Sequence, residues 1–208
     1  MLGLSKKELA ILKKLSTPIK IQDFLDSFPI NWEKGGETYM SPRRVFREKK
    51  MHCLEGALVA GVALWLHGEK PLLLDLKANG DEDHVIALYK RNGCWGAISK
   101  TNHSTLRFRD PVYKTIRELV LSYFHEYFND NTGKKALRSY SANPFNIKRL
   151  GTKWIATGED LQYIAQAIDD APHKNLFPKK NIKFLRKADT MERRASKIIE
   201  WSKKHPRT

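Results

Sequence analysis

One apolar stretch, residues 53–67 with the sequence CLEGALVAGVALWLH, most strongly constrains how this chain can fold. Its apolar side chains cover nearly the whole circumference of a helix, so we expect a helix that is buried on most of its sides. Gly68 follows at a position where glycine commonly ends a helix. A chain of 208 residues that is 41% hydrophobic can bury such a helix in one core. We therefore expect a single domain over residues 1–208.

The segments that follow this helix predict a small antiparallel sheet. Three short strand candidates read PLLLDL, HVIALYK and CWGAISK in chain order. The last two are separated by a turn containing Asn92 and Gly93, a pair that is typical of a tight hairpin. A central helix beside a hairpin-connected sheet indicates the α+β class.

Further helices are expected at both ends of the chain, bounded by prolines and capping residues. In the middle of the chain, Asp110 followed by Pro111 predicts a helix start. We accordingly expect residues 103–172 to continue mainly as helices packed on the sheet, and residues 173–208 to form a basic helical segment. The expected helices are residues 5–15, 18–28, 110–128, a stretch within 156–172, and 189–204, while residues 31–44 are expected to form an exposed loop.

The positive charge of the chain is concentrated at its C-terminal end. The formal net charge is +15, and residues 174–208 contain twelve Lys and Arg against three Asp and Glu. Such a segment is a candidate for binding nucleic acid or an acidic partner. A solvated helix face that improves solubility explains the same charge equally well.

Several classes of protein are disfavoured by what the sequence lacks. Two cysteines do not form a disulfide framework, and the lysine-rich N-terminus does not resemble a secretory signal. The longest apolar stretch is too short to span a bilayer. We therefore expect a cytoplasmic protein without membrane association. The absence of CxxC, HExxH and a glycine-rich phosphate loop predicts no metal and no cofactor.

Cys53 and His84 are the residues with the clearest potential for chemistry. A thiol in the first turn of a helix is exposed to the positive end of the helix dipole, which favours the reactive thiolate. A cysteine at a core helix is, however, often only a small apolar side chain. His84 opens a strand after Asp81, Glu82 and Asp83, where it could act as a base toward a nearby thiol. Those three acidic residues could favour its protonated form, or simply form a solvated turn.

The order of these segments resembles the transglutaminase-like superfamily of cysteine enzymes. The motifs HCLEGAL, HGEKPLLLDL and HVIALYKRNGCWGAIS follow one another as they do in that family, and TPIKIQDFLDSFPIN is similar to its preceding helix. The resemblance covers residues 17–102. It implies a papain-like fold, with Cys53 as nucleophile and His84 as base.

The third catalytic position departs from the family pattern. Where the family usually has an aspartate after the tryptophan, this chain has Ser99. A hairpin closing at Asn92 and Gly93 would place residues 99–102 near His84. Asn102 is the preferred candidate, because an asparagine carbonyl can accept the imidazole N–H. Ser99 and Asp110 are the alternatives, and Asn102 could also be a simple turn residue.

The resemblance implies a thiol enzyme that attacks an amide or peptide bond and forms a thioacyl intermediate. Cys53 N–H would stabilise the oxyanion, with a second donor near Asn31 or Trp32. Hydrolysis is favoured over transfer to an amine because it needs no second substrate site. The alternative is a binding module for nucleic acid or an acidic partner, with a vestigial thiol site and the basic segment 174–208 as its binding surface.

Overall fold

The computed structural model describes residues 2–33 and 35–199, which form an α+β structure built on an antiparallel sheet. The helices are α1 (Lys6–Lys14), α2 (Pro18–Asp26), α3 (Pro42–Glu48), α4 (Cys53–Leu66), α5 (Ile116–Phe124), α6 (Lys153–Ala156), α7 (Gln162–Asp169) and α8 (Thr190–Ser196), with 3-10 turns at Ile147–Leu150 and Lys179–Phe184. The strands are β1 (Leu72–Ala78), β2 (His84–Arg91), β3 (Cys94–Ile98), β4 (Arg109–Tyr113), β5 (Leu137–Ser141), β6 (Phe145–Asn146) and β7 (His173–Asn175).

Helix α4 is buried as its sequence predicts. Every residue from Leu54 to Leu64 is buried, and the two-sided apolar pattern leaves no solvent-facing stripe in this stretch. The helix ends where Gly68 takes a φ of +82°, a left-handed conformation that glycine adopts without strain. The N–H of Glu69 then bonds back to the carbonyl of Leu64 at 2.9 Å. This ending directs the chain into the sheet.

The sheet has the strand order β4-β3-β2-β1-β5-β7, and the short β6 also pairs with β1. Alternate residues of each strand point to opposite faces of the sheet, and both faces are covered by other parts of the chain. Leu73 and Ala87 pack in the same cluster as α4, whereas Leu74 and Ile86 belong to the cluster that contains Leu119 of α5. The central strands therefore lie between two helical layers.

The predicted hairpin is confirmed. Arg91 pairs with Cys94 and Ala87 with Ile98, so the turn consists of Asn92 and Gly93 alone, both with positive φ. Residues on the two strands thus pair in a constant register. Extending this register beyond the hydrogen-bonded ladder brings the start of β2 close to residues 99–101. The hairpin is therefore what places His84 against the end of β3.

The predicted long helix over residues 110–128 is wrong. Residues Arg109–Tyr113 form strand β4, and α5 begins only at Ile116. Pro111 is tolerated because β4 is the edge of the sheet, where a missing N–H breaks no ladder on the open side. The helix start is set by the capping box of Thr115 and Glu118. Residues 103–172 are accordingly not a mainly helical continuation, since they also contain β4, β5 and β6.

The terminal predictions have mixed outcomes. The two N-terminal helices are confirmed at Lys6–Lys14 and Pro18–Asp26. The expected exposed loop at residues 31–44 is partly wrong, because Met40 and Ser41 are buried and α3 begins at Pro42. The basic segment contains strand β7, a 3-10 turn and α8 rather than one helix, and residues 200–208 lie outside the described part. In the described residues, no helix is both long and apolar enough to cross a membrane.

Candidate active site

A cavity of about 450 Å³ opens at the N-terminus of α4 and contains the residues that the sequence singles out. Cys53 and His84 both line it. Its other walls come from the segment around Trp32, the turn before β2, the residues after β3, and residues 126–131. The end of β3, the start of β2 and the start of α4 thus meet at one place, which groups a thiol with an imidazole.

Cys53 is the first residue of α4 and is half-buried, as is Cys94, and both are free thiols. In the described residues the backbone N–H of Cys53 bonds to no acceptor, as is usual for the first N–H groups of a helix. This N–H and the helix dipole both favour negative charge at the start of α4. The position suits a thiolate and an oxyanion.

His84 is buried, and a hydrogen-bond chain fixes which of its nitrogens carries the proton. The Ser99 hydroxyl donates to the carbonyl oxygen of Leu106 at 2.6 Å, and a carbonyl can only accept. Ser99 Oγ therefore accepts from His84 Nε2–H at 2.8 Å. Nδ1 of His84 remains as the basic nitrogen that can take a proton from a thiol. Ser99 thus orients the imidazole without adding a negative charge.

Ser99 is itself held by a side chain of helix α2. The Gln22 amide donates to the Ser99 carbonyl at 2.8 Å, and the Ser99 N–H donates to the Gln22 carbonyl oxygen at 2.9 Å. Gln22 is buried, and its amide forms the two hydrogen bonds with the Ser99 backbone that a neighbouring strand would otherwise form. The Ser99 hydroxyl is fixed relative to His84 by this pair.

A second imidazole, His52, lies directly before the thiol and caps α4. Its Nδ1 accepts from the Leu54 N–H at 3.3 Å, and its Nε2 lies 2.7 Å from the Thr38 carbonyl. The buried Glu55 completes the cap by accepting from the His52 N–H at 2.9 Å. Glu33 lies 3.5 Å from His52 Nε2, so a positive charge on this ring is compensated.

The pKa values of the thiol and of His52 shift in opposite directions. Burial by itself would raise the pKa of the Cys53 thiol, but hydrogen bonds and charge from His52 and His84 hold it well below its usual value. Burial likewise disfavours protonated His52, yet the thiolate, Glu55 and the Thr38 carbonyl raise its pKa to about 10. These shifts favour the thiolate form of Cys53 and the protonated form of the neighbouring His52 ring.

The other predicted site residues are placed as follows. Asn102 lines the cavity, but it is Ser99, the weaker alternative in the sequence, that contacts His84. Asp110 is exposed on β4 and does not line the cavity. The side-chain amide of Asn31 donates to the Thr38 hydroxyl at 2.9 Å, so it is not a free donor for a substrate oxyanion. Trp32 lines the cavity with a half-exposed side chain.

Glu55, and the role of His52 as its capping partner, are the parts of the site that sequence reasoning missed. The spacing of His52 and Glu55 is that of a capping box, with a histidine in the place of the usual serine or threonine. A search for acidic residues at the third helical position would have found it. The sequence also contained a signal for Ser99, rather than Asn102, as the partner of His84, because residues two apart on a strand point to the same face. In the extended hairpin register His84 is opposite residue 101. Ser99, two residues away from 101, therefore points to the same face of the sheet as His84, whereas Asn102 points to the other face.

The described residues contain one group of carboxylates close enough to hold a metal ion, Asp75, Asp83 and Asp169. The Lys77 ammonium contacts Asp169 and lies 3.7 Å from Asp83, so a lysine already supplies the positive charge there. Of the three carboxylates, Asp83 lines the same cavity as Cys53, whereas Asp75 and Asp169 do not. Comparison with protein-family models and with curated proteins finds no match to this chain.

Proposed function

We propose that this chain is a cysteine hydrolase with a papain-like, transglutaminase-like fold that acts on an amide or peptide bond. The observation that carries the proposal is the Cys53 thiol at a helix start, in one cavity with a His84 ring whose Nε2 is committed to Ser99. A depressed thiol pKa beside an oriented imidazole is what nucleophilic catalysis by cysteine requires.

In the first step the Cys53 thiol gives its proton to His84 Nδ1, and the resulting thiolate attacks the carbonyl carbon of the substrate, so that a carbon–sulfur bond forms. The carbonyl oxygen takes the negative charge and accepts from the free N–H of Cys53, with Trp32 as the candidate second donor. Collapse of this intermediate breaks the carbon–nitrogen bond. The leaving amine takes the proton from His84 Nδ1, and a thioester remains on Cys53.

In the second step water attacks the thioester, and His84 Nδ1 accepts the proton that water loses. The carbon–sulfur bond breaks, the acid is released, and the thiolate is restored. The raised pKa of His52 favours a positive charge on this ring, which compensates the negative charge of the sulfur. Ser99 keeps Nδ1 directed at the reaction through both steps.

Selective alkylation with iodoacetamide tests the nucleophile, because the chain contains its own reference thiol. Cys53 and Cys94 are both half-buried, so a difference in rate reports mainly the fraction of thiolate. We expect Cys53 to react at pH 6 to 7 at least about tenfold faster than Cys94, as measured by peptide mass spectrometry. Cys94→Ser is the matched variant and should leave the rate at Cys53 unchanged.

Two further variants make the result specific to the imidazoles. His84→Ala and His52→Ala should each slow alkylation at pH 6, because each removes a group that lowers the thiol pKa. A screen of peptide amides should then detect a thioester adduct on Cys53 by mass, in the wild type and not in Cys53→Ser. Equal and slow alkylation of both cysteines would overturn the proposal.

A second candidate function rests on an exposed basic surface on the 3-10 turn and the residues after it. Phe184 is 74% exposed there, with the Lys183 ammonium 4.9 Å from its ring. Exposed lysines around an exposed aromatic ring are a surface that single-stranded nucleic acid can bind by phosphate contact and base stacking. The lysines of this surface are Lys179, Lys180, Lys183 and Lys187.

Removing residues 174–208 would not test this surface cleanly, since Leu176 is buried in the core and α8 packs beside the cavity. Charge reversal of the four lysines is the better test. It should abolish salt-dependent binding to a single-stranded oligonucleotide, measured by fluorescence anisotropy. The same reversal at four exposed lysines of α1 should not. The control set is Lys6, Lys7, Lys13 and Lys14. No binding by the wild type at low salt would exclude this function.

A further inference from the structure

The lining of the active-site cavity has the opposite charge from the rest of the molecule. The chain as a whole carries 38 Lys and Arg against 23 Asp and Glu. In the described part of the cavity lining, one lysine, Lys100, stands against six acidic residues, and its ammonium donates to the carbonyl of Phe28. The acidic residues are Glu33, Asp81, Glu82, Asp83, Glu126 and Asp130.

Half of these carboxylates already have a cationic neighbour within the protein. Asp83 lies 3.7 Å from Lys77, Glu126 lies 2.6 Å from Arg109, and Glu33 faces the His52 ring. The remaining three form no ion pair with any lysine or arginine that the structure describes. They are Asp81, Glu82 and Asp130. Asp81 and Glu82 are exposed and Asp130 is half-buried, so all three can meet a positive charge that enters the cavity.

Partial burial and the nearby Asp130 carboxylate raise the pKa of Asp81, whereas the Glu82 N–H and the His103 ring lower it. Asp130 accepts from the Ser196 hydroxyl at 2.7 Å, so its carboxylate is held in place. Neither residue belongs to a group with the spacing of metal ligands among the described residues. Two carboxylates without a third ligand suit an organic cation, an ammonium or a guanidinium, better than a metal ion.

Repulsion between these groups, and between them and the Cys53 thiolate, opposes the folded state and the reactive form of the thiol. A cation that enters the cavity removes this repulsion, and a negative cavity in a positive molecule concentrates such cations locally. The carboxylates therefore favour binding of a positively charged substrate in the cavity and disfavour binding of a negatively charged one.

We propose that the cavity selects substrates in which the group next to the scissile amide carries a positive charge, as lysine or arginine does. Asp81 and Asp130 are the specificity-determining residues, with Glu82 at the rim. This inference rests on the proposed function, because it assigns the substrate class of the same thiol site.

Three methanethiosulfonates that differ in charge test the inference without knowledge of the substrate. The probes are the neutral methyl, the cationic 2-(trimethylammonium)ethyl and the anionic 2-sulfonatoethyl reagents. In each reaction the Cys53 sulfur forms a bond to the reagent's sulfenyl sulfur, and methanesulfinate leaves with the bonding electron pair. Rates at Cys53 are divided by rates at Cys94 in the same molecule.

We expect the normalised rate of the cationic reagent to exceed that of the anionic one by at least about tenfold, and the ratio to fall as salt is added. The double variant Asp81→Asn, Asp130→Asn should reduce the ratio several-fold. The asparagines keep the acceptor oxygens for the Glu82 N–H and the Ser196 hydroxyl, so folding is preserved. Asp110→Asn, on the exposed strand outside the cavity, is the matched control and should change nothing.

The outcomes separate the two proposals. Slow reaction of Cys53 with the neutral reagent overturns the nucleophile and the selectivity together. Fast reaction with the neutral reagent but equal rates for the two charged reagents overturns the selectivity alone. A cation preference that survives in the double variant assigns it to the thiolate itself and also overturns the role of Asp81 and Asp130.

Discussion

Replacing Gly56 by alanine would insert a methyl group at the tightest contact between α4 and the segment after β3. A Cβ built at Gly56 lies 2.5 Å from the Cβ of Lys100, whereas carbon atoms in contact sit about 3.5 Å apart or more. The Lys100 Cβ is fixed by its backbone, so no side-chain rotation relieves the clash. The helix and the strand end must therefore separate by about 1 Å. Lys100 follows Ser99 directly, so this shift moves the Ser99–His84 pair away from Cys53.

Gly61 of the same helix is the matched control, because a Cβ there would lie 3.6 Å from Pro71, an ordinary contact. Both substitutions gain the roughly 0.5–1 kcal/mol by which alanine exceeds glycine inside a helix. The difference between the variants then isolates the clash, which overpacking places at about 1–3 kcal/mol. Gly61→Ala should unfold slightly above the wild type, and Gly56→Ala should unfold about 2–12 °C below Gly61→Ala.

Thermal unfolding followed by circular dichroism measures the first effect, and iodoacetamide alkylation of Cys53 measures the second. A displacement of about 1 Å can cost up to about 100-fold in the rate of a positioned reaction, so we expect Gly56→Ala to lose most of the enhanced reactivity of Cys53. Gly61→Ala should keep it. Equal melting temperatures together with unchanged alkylation in both variants would refute the close packing of α4 against residue 100.

Two further predictions concern single side chains. Ser99→Ala removes the acceptor of His84 Nε2–H, so the rate of Cys53 alkylation at pH 6 and the turnover of a peptide-amide substrate should each fall about 3- to 10-fold. Asn102→Ala should leave both rates unchanged. A larger loss in Asn102→Ala than in Ser99→Ala would instead identify Asn102 as the residue that orients His84. Burial, aided by Asp83 and opposed by His173, raises the pKa of Asp75 to about 6. Its folded form then holds the proton more tightly than the unfolded chain, so the free energy of unfolding should decrease, on the order of 2 kcal/mol, as the pH rises from about 4 to about 6. Urea unfolding should show this decrease in the wild type but not in Asp75→Asn, and an identical slope in both would contradict the assignment.

The parts of the fold that could be predicted are those in which local pattern and tertiary environment agree. The apolar circumference of α4 and the Asn92-Gly93 turn each allow one structure, and both are observed. The failure at residues 110–128 arose because Asp110 and Pro111 satisfy the local rule for a helix start. Their position on an open sheet edge decides otherwise, and an edge is a property of the whole sheet rather than of the local sequence.

The order of the motifs along the chain was enough to identify the two central residues of the candidate site, but not their partners. Cys53 and His84 are brought into one cavity by a helix and a hairpin that the sequence already indicated. The partner of His84 depended on which face of a strand each residue occupies, and the sequence order alone favoured the wrong side chain. The role of Gln22 depends on a contact with Ser99, 77 residues away in the chain, for which one sequence provides no signal.

The paired bonds between Gln22 and Ser99 join two segments of the candidate site that are 77 residues apart in the chain. A glutamine on α2 completes a strand of the sheet, so the stretch from the thiol to the end of the hairpin is not a portable unit. Grafting that stretch onto another scaffold would leave the Ser99 N–H and carbonyl without their partners inside a buried environment. Helix α2 is thus an integral part of the candidate site, and redesign of either segment must treat the two together.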